Sequence, residues 1–261
     1  MVAVAGCTVD DFQKLERREW RLVWGDEFDG APGESPDPQK WAFDIGRGQD
    51  GWGNQELQYY TNRPQNVSMD GEGNLVITAL NDNFAGAPFS SARIKTEGLF
   101  TQKYGRFEAR LRTPYGPGLW PAFWMLGSNI ETVSWPQCGE IDIMELRGQE
   151  PHIVHGSLHG PGYSSGAAIT KKYALSDGRF DTEFHVYAIE WDADKIDFFV
   201  DDFAYQRIER AQTPGPWVYD QPFFILLNVA VGGTFVGFPT PATPFPQRMI
   251  VDYVRVYEEV K

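Results

Sequence analysis

Charged and apolar side chains alternate strictly in the stretch Arg106-Phe107-Glu108-Ala109-Arg110-Leu111-Arg112. Successive side chains of a β-strand point to opposite faces, so the pattern puts Phe107, Ala109 and Leu111 on one face and the charges on the other. The stretch therefore predicts a strand with one face in an apolar core and the other in water.

Further apolar runs, separated by turn residues, predict strands along nearly the whole chain. They lie at residues 21–24, 75–80, 186–191, 196–200, 203–208, 223–231 and 249–257. Asp192-Ala193-Asp194-Lys195 separates two of these runs and predicts a hairpin turn. The 27 Gly and 18 Pro lie mostly between the runs, where they suit turns. The predicted fold class is all-β, an antiparallel β-sandwich.

The 261 residues are predicted to form one domain, because no internal repeat, low-complexity linker or change in composition divides them. We assign residues 1–19 to an N-terminal leader segment and residues 20–261 to a single β-sandwich domain. One short helix is predicted at residues 11–18, before the first strand.

The charge balance limits the class of partner. The chain has 36 acidic and 23 basic residues, a net charge of −13, so nucleic acid, anionic membranes and polyanionic polysaccharides are disfavoured. No apolar stretch reaches the roughly 18 residues of a transmembrane helix, since the longest run, 223–227, is cut by Asn228. Nine Trp suit a surface that stacks on flat apolar faces. We expect a monomer with a neutral partner.

The two cysteines, Cys7 and Cys138, cannot make a disulfide framework. Val4-Ala5-Gly6-Cys7 resembles the end of a bacterial lipoprotein signal, which leaves two alternatives: a lipid anchor at Cys7, or a chance tetrapeptide in a trimmed leader or tag. The expected location is extracellular, with the chain secreted. Cys138 is expected to be a small apolar filler.

Three acidic residues lie among apolar ones in Gly139-Glu140-Ile141-Asp142-Ile143-Met144-Glu145. Carboxylates in a buried strand are costly unless they face a wet cleft. On a regular strand Glu140 and Asp142 share a face and Glu145 points away. One β-bulge near Ile143-Met144 would return Glu145 to that face, because a bulge sets two residues opposite one. The alternative is an ordinary strand with solvated acids outward.

Two glutamates on one bent strand suit glycosidic bond hydrolysis. Carboxyls about 5–5.5 Å apart make a retaining glycosidase, and about 6.5–9.5 Å leaves room for an inverting water. Two glutamates leaning together across a bulge fit the shorter gap better. One would attack the anomeric carbon, and the other would protonate the leaving oxygen and then activate water. Asp142, between them, would adjust the charge of the pair.

The stretch Glu140-Ile141-Asp142-Ile143-Met144-Glu145 resembles the signature of glycoside hydrolase family 16, in the bulged form typical of laminarinases. Other stretches resemble the laminarinase group in the same order: 24–30 (WGDEFDG), 52–61 (WGNQELQYYT), 91–94 (SARI), 118–126 (GLWPAFWML) and 251–257 (VDYVRVY). The resemblance implies a jelly-roll sandwich with a glucan cleft across its concave sheet. It also implies that Glu140 is the nucleophile, Asp142 its helper and Glu145 the acid/base.

Aromatic residues near the acids are candidates for binding sugar. Trp120 and Trp124 are four apart on an alternating strand and share a face, and Trp135 lies just before the acids. The resemblance puts all three in the cleft, and core packing is the alternative. Asn54, Glu56 and Arg93 match laminarinase positions near the non-reducing-side subsites. Turn polarity or a surface ion pair is the alternative for these three.

Histidines follow the acids. His155, Ser157 and His159 alternate and so share a face. By resemblance, His159 stands near the acid/base and is expected to hydrogen-bond Glu145 or a sugar hydroxyl. A metal site of His152, His155 and His159 is disfavoured, because the spacing is not that of a zinc-binding helix and neighbouring glycines argue against any helix.

The resemblance implies a structural calcium and no catalytic cofactor. Glu27, the Gly73 carbonyl and Asp252 match the family's calcium positions on the convex side, and they would tie the first and last strands together. Unconnected surface acids are the alternative.

The resemblance thus implies a retaining endo-β-1,3-glucanase that acts on laminarin-like β-glucan. Three alternatives stay open at this point: activity on mixed β-1,3/1,4-glucan, a non-catalytic β-glucan-binding protein, and hydrolysis of another neutral β-linked polysaccharide such as a galactan.

Overall fold

Residues 18–260, the part of the chain that the structure, a computed structural model, describes, contain seventeen β-strands. The first sheet has eight strands. In spatial order these are β15 (Phe203–Glu209), β14 (Lys195–Val200), β13 (His185–Trp191), β8 (Gly105–Arg112), β17 (Gln247–Glu259), β5 (Leu75–Ala79) and β4 (Val67–Met69), with β1 (Trp20–Asp26) also paired to β17.

The second sheet has seven strands. In spatial order these are β12 (Ile169–Ala174), β11 (Ile153–His159), β10 (Glu140–Leu146), β9 (Leu119–Gly127), β16 (Phe223–Val231), β7 (Arg93–Lys95) and β2 (Ala42–Asp44). Pairing within both large sheets is antiparallel, whereas the short strands β3 (Gln58–Tyr60) and β6 (Phe89–Ser91) pair in parallel. Short helical turns lie at Gly51–Gln55, Ser165–Ala167 and Arg210–Gln212.

One apolar core lies between the two large sheets. Phe107, Ala109 and Leu111 of β8 are fully buried in it, as their alternation predicts. Phe123 and Met125 of β9 enter the same core from the other sheet. Each such side chain contributes about 1.5–3 kcal/mol through removal of apolar surface from water, so the alternating pattern fixes which face of each strand is buried.

The predicted strands and hairpin are confirmed, with small differences at their ends. The 223–231 run is β16, and the predicted hairpin is formed by β13 and β14. The last strand, β17, is longer than predicted because it pairs in turn with β1, β8 and β5.

The predicted helix, apart from Arg18, lies outside the described residues, as does Cys7 with most of the predicted leader. Arg18 is not helical and forms a 2.6 Å ion pair with Asp192. Across residues 18–260, helices are too short or too polar to cross a membrane.

Candidate active site

A cleft of about 1060 Å³ crosses the face of the seven-stranded sheet that points away from the core. Its lining includes side chains from β7, β9, β10, β11 and β16, so it extends over much of the width of the sheet. All ten residues predicted from the sequence for catalysis or substrate binding line this cleft. They are Asn54, Glu56, Arg93, Trp120, Trp124, Trp135, Glu140, Asp142, Glu145 and His159.

The predicted β-bulge is present in β10. Asp142 lies opposite Trp124 and Glu145 lies opposite Ala122, so three steps along β10 match two steps along β9. Ile143-Met144 takes up the extra residue and stays buried in apolar surroundings. The bulge therefore brings Glu145 to the cleft face with Glu140 and Asp142.

The three carboxyls lie in a poorly hydrated and mutually repulsive setting. Burial, followed by the charge of Asp142, raises the pKa of Glu140 to about 8. Burial raises the pKa of Glu145 to about 7, and repulsion from Glu140 adds to it. Burial and Glu145 also raise the pKa of Asp142 well above its usual range. The cluster therefore retains protons near neutral pH, as an acid catalyst must.

Glu140 and Glu145 each accept a hydrogen bond from a tryptophan indole. Trp120 Nε1 donates to Glu145 Oε1 at 2.9 Å, and Trp135 Nε1 donates to Glu140 Oε2 at 2.9 Å. Both bonds stabilise the ionised carboxylate and so oppose the effect of burial on the two pKa values. The two tryptophans therefore contact the candidate catalytic groups directly.

His159 does not make the hydrogen bond to Glu145 expected from the sequence. Its Nε2 lies 3.0 Å from Asp142 Oδ2 and 3.8 Å from Glu140 Oε1. The register of β11 decides this outcome, because it sets His159 opposite Glu140 and His155 opposite Glu145. His159 therefore contacts the Glu140–Asp142 pair directly, and its charge also lowers the pKa of Glu145.

Glu140, Asp142 and His159 bring their donor atoms within 4.8 Å of one another, close enough to hold a metal ion. However, the Ser165 backbone N–H donates to His159 Nδ1 at 3.1 Å, so in the neutral ring the proton lies on Nε2. That nitrogen, 3.0 Å from Asp142 Oδ2, then carries the proton and has no lone pair for a metal. The arrangement therefore favours a hydrogen-bonded acid cluster over a cation site.

One end of the cleft has a charged and aromatic wall. The Arg93 guanidinium lies 4.7 Å from the ring centroids of both Trp52 and Trp124, and Arg93 Nε lies 2.8 Å from Asp44 Oδ2. Arg93 therefore forms an ion pair and also lines the cleft, and its contact with sugar stays a prediction. Stacking on two indoles keeps the guanidinium in a fixed plane.

Glu56 is buried in the same wall and is surrounded by donors. Asn54 Nδ2 donates to its Oε1 at 3.3 Å, while Gln58 Nε2 and Tyr60 OH donate to its Oε2 at 2.6 and 3.1 Å. Burial nevertheless raises the pKa of Glu56. Asn54 and Glu56 are therefore part of one hydrogen-bonded unit at the cleft wall.

The sequence prediction missed several residues that line the cleft. Trp52 lies in a motif that was identified, but no role was predicted for it. Asn228 gave a usable signal, because it is a polar residue inside the apolar 223–231 run. Phe235 gave none: its ring lies 5.1 Å from Trp120 and 5.2 Å from His155, and only the folded loop brings these three together.

The three predicted calcium residues lie away from the acids, on the eight-stranded sheet and its loops. Both Glu27 carboxylate oxygens accept hydrogen bonds from Arg255, at 2.8 and 2.7 Å. Asp252 pairs with Arg110. Gly73 lies in the turn between β4 and β5. As arranged, both carboxylates are neutralised by arginines, so these residues do not fit a calcium ion without losing those pairs.

A cleft on a β-sandwich, with buried glutamates brought together by a strand bulge, defines a glycoside hydrolase. The chain belongs to the glycosyl hydrolases family 16, whose family model matches residues 54–255. The family and the jelly-roll fold expected from the sequence are thereby confirmed.

Similar proteins within this family are named as glucanases or laminarinases. A beta-glucanase of Rhodothermus marinus is 41% identical over 98% of this chain and 92% of its own length. The laminarinase catalytic domain of Thermotoga maritima is 46% identical with a TM-score of 0.87, covering 93% of this chain and 100% of that one. The endo-beta-1,3-glucanase of Pyrococcus furiosus is 46% identical with a TM-score of 0.89, covering 94% and 96%. Two further relatives are longer, and the chain spans 34% and 38% of their length.

Proposed function

We propose that this chain is a retaining endo-β-1,3-glucanase that hydrolyses laminarin-like β-glucans. The observation that carries the proposal is the bulge in β10, which lets five steps along β10 match four along β9 and so sets Glu140 and Glu145 on one face of the cleft. Laminarinase relatives at 46% identity support the β-1,3 linkage. The cleft extends over much of the width of the sheet, which supports binding along the middle of a polysaccharide rather than at its end.

In the proposed reaction, the Glu140 carboxylate attacks the anomeric carbon while Glu145 donates its proton to the departing glycosidic oxygen. The products of this first step are a glycosyl ester on Glu140 and the ionised carboxylate of Glu145. Glu145 then takes a proton from water, whose oxygen attacks the same carbon and releases Glu140. Two inversions leave the β-configuration unchanged, and no cofactor enters the scheme.

The pKa values of the two glutamates do not by themselves assign these roles, since burial raises both, Glu140 to about 8 and Glu145 to about 7. Glu140 and Asp142 are joined by a hydrogen bond, so one of these two carboxyls holds a proton. We propose that Asp142 keeps the shared proton during attack, so that Glu140 reacts as the anion. The positive charge that develops on the sugar would favour this distribution.

Sugar rings are proposed to bind against Trp124, Trp120 and Trp135, with Arg93 and Glu56 supplying polar contacts on the non-reducing side. An indole face suits the C–H face of a glucose ring, and a fixed guanidinium suits its hydroxyls. His159 is proposed to hold Asp142 in place through its 3.0 Å contact.

The experiment that tests the proposal follows the anomeric signals of fresh product by NMR. Retention predicts that β-anomer appears first from a β-1,3-glucan, and early α-anomer would overturn both the mechanism and the role of Glu140. Glu140→Ala should abolish hydrolysis, and added azide should restore formation of an α-glycosyl azide, because the small anion can occupy the vacated space. Parallel product profiles on laminarin, lichenan and cellulose test the linkage.

Calcium stays a proposal, as do secretion, the lipid anchor at Cys7 and the monomeric state. A calcium ion at Glu27, the Gly73 carbonyl and Asp252 would have to displace Arg255 and Arg110 from the two carboxylates. Its role would be to join the first and last strands, which already pair as β1 and β17.

A further inference from the structure

A buried amide forms part of one wall of the cleft. Asn228 is 6% exposed and interrupts β16, a strand whose other residues are all apolar. A buried amide is costly unless its polar groups are paired, so a polar residue at this position requires a compensating contact. The strand register sets Asn228 opposite Ala122 of β9 and Arg93 of β7, on the cleft side of the sheet.

The oxygen and the nitrogen of the Asn228 amide both form hydrogen bonds, one with the Trp124 indole and the other with the Tyr60 hydroxyl. Trp124 Nε1 donates to Asn228 Oδ1 at 2.7 Å. Asn228 Nδ2 donates to Tyr60 OH at 3.2 Å, and Tyr60 OH donates in turn to Glu56 Oε2 at 3.1 Å. A continuous chain of hydrogen bonds therefore links the indole to the buried carboxyl.

The Trp124 indole is held on two sides. Asn228 holds its N–H edge and the Arg93 guanidinium covers one ring face at 4.7 Å, while the side chain also lines the cleft. Rotation of the ring would break the 2.7 Å bond and leave a buried carbonyl oxygen without a donor, which costs more than the bond itself contributes. The amide thus selects one orientation of the ring.

We propose that Asn228 is a positioning residue for substrate: it fixes the Trp124 indole for stacking on a sugar ring and joins it to Glu56 through Tyr60. The substrate class, a β-linked glucan, rests on the proposed function. The orientation of the Trp124 ring does not depend on the proposed function, and a separate measurement tests that orientation.

The first experiment observes the indole directly. Spectra that correlate ¹H and ¹⁵N resolve the indole N–H groups, and Trp124→Phe identifies the Trp124 signal by its loss. Asn228→Leu, which has nearly the same shape but lacks the amide, should move that signal upfield and speed its exchange with water. Signals of Trp residues outside the cleft wall should stay in place. An unmoved Trp124 signal in a folded Asn228→Leu protein would overturn the proposal.

The second experiment is a double-mutant cycle on kcat/KM for a soluble β-1,3-gluco-oligosaccharide. Asn228→Leu should lower kcat/KM about 3- to 10-fold, as expected for one lost hydrogen bond to a substrate-binding side chain. In the Trp124→Phe background the same change should cost less than about twofold, because the indole N–H is already gone. Equal losses in both backgrounds would show that Asn228 does not act through Trp124.

Control variants distinguish a positioning role of Asn228 from an effect on folding and from failure of the proposed function. Asn81→Leu, at an exposed position outside the cleft, should leave kcat/KM and the Trp124 signal unchanged. The pH profile of Asn228→Leu should match that of the unaltered chain, since Asn228 makes no hydrogen bond to Glu140 or Glu145. If Asn228→Leu fails to fold, Asn228→Ala serves in both experiments. If the unaltered chain does not cleave the oligosaccharide, the proposed function fails, and the indole signal still decides the orientation.

Discussion

The two indole hydrogen bonds on the candidate catalytic glutamates lead to a paired prediction. Trp120→Phe removes the donor to Glu145, and Trp135→Phe removes the donor to Glu140. A donor stabilises the ionised carboxylate, so its loss raises the pKa of the acceptor. Glu145 must be protonated to act as the acid, so Trp120→Phe should move the alkaline limb of the kcat/KM profile to higher pH. Glu140 must be ionised to attack. In the proposed scheme Asp142 holds the proton of the Glu140–Asp142 pair, so ionisation of Glu140 sets the acid limb and Trp135→Phe should move that limb to higher pH.

The expected size of each pKa shift depends on how deeply the indole N–H donor is buried. A hydrogen bond to a charged group contributes about 1.5–3 kcal/mol, and about 1.36 kcal/mol corresponds to one pKa unit, which bounds the shift at about 1–2 units. Trp120 is half-buried and its replacement ring can still pack on Phe235, so we expect about 1 unit on Glu145, whose pKa lies at about 7. Trp135 is 40% exposed, so water replaces its N–H and the expected shift is about half as large.

The assay measures kcat/KM for a soluble β-1,3-gluco-oligosaccharide across the pH range, with a thermal melt of each variant. Trp24→Phe is the matched control, because this indole lies on β1 and packs on Phe100, away from the cleft. Neither limb of the kcat/KM profile should move in Trp24→Phe. If Trp120→Phe moved the acid limb and Trp135→Phe the alkaline one, the scheme in which Asp142 holds the proton and Glu140 reacts as the anion would be refuted. Unmoved limbs in both variants would refute the idea that the indoles tune the acids.

Three further changes have expected outcomes. Trp124→Ala should lower kcat/KM about tenfold or more while the thermal melt shows a folded protein, because it removes about 1–3 kcal/mol of apolar contact with sugar. Gly156→Ala should lower the free energy of unfolding in urea by about 1–3 kcal/mol, since the added Cβ would lie 2.3 Å from Tyr205 Oη and 2.7 Å from Phe198 Cδ1. If calcium binds at Glu27 and Asp252, a chelator should lower Tm and leave activity at room temperature intact, whereas an unchanged Tm would remove the calcium proposal.

Much of the candidate site could be predicted because its chemistry is local in the chain. Glu140, Asp142 and Glu145 lie within six residues, and their apolar neighbours left few faces on which the acids could lie. A bulge was the simplest way to bring all three to one face, and β10 has it at the expected residues. Trp120 and Trp124 were predictable for the same reason, since their spacing on a strand sets a common face.

The partners of those residues could not be predicted in the same way. His159 was expected to hydrogen-bond Glu145 or a sugar hydroxyl. It lies near enough to Glu145 to lower the pKa of that group, but its direct contacts are with Asp142 and Glu140, because strand register is set by packing across the whole sheet. Asn228 is polar in an apolar run, a local signal of function, but its partner Trp124 is 104 residues away in the chain.

The sequence by itself determined the strands, the buried face of each and the group of acids on β10, because side-chain alternation and the two-for-one count of a bulge depend only on neighbouring residues. Only the tertiary structure decided how these parts act on one another. The indole of Trp120 bonds Glu145, 25 residues away in the chain, and Arg93 lies between two indoles from other parts of the chain. Hydrogen bonds and pKa values depend on distances of a few ångströms between residues far apart in sequence, and packing of the two sheets sets those distances.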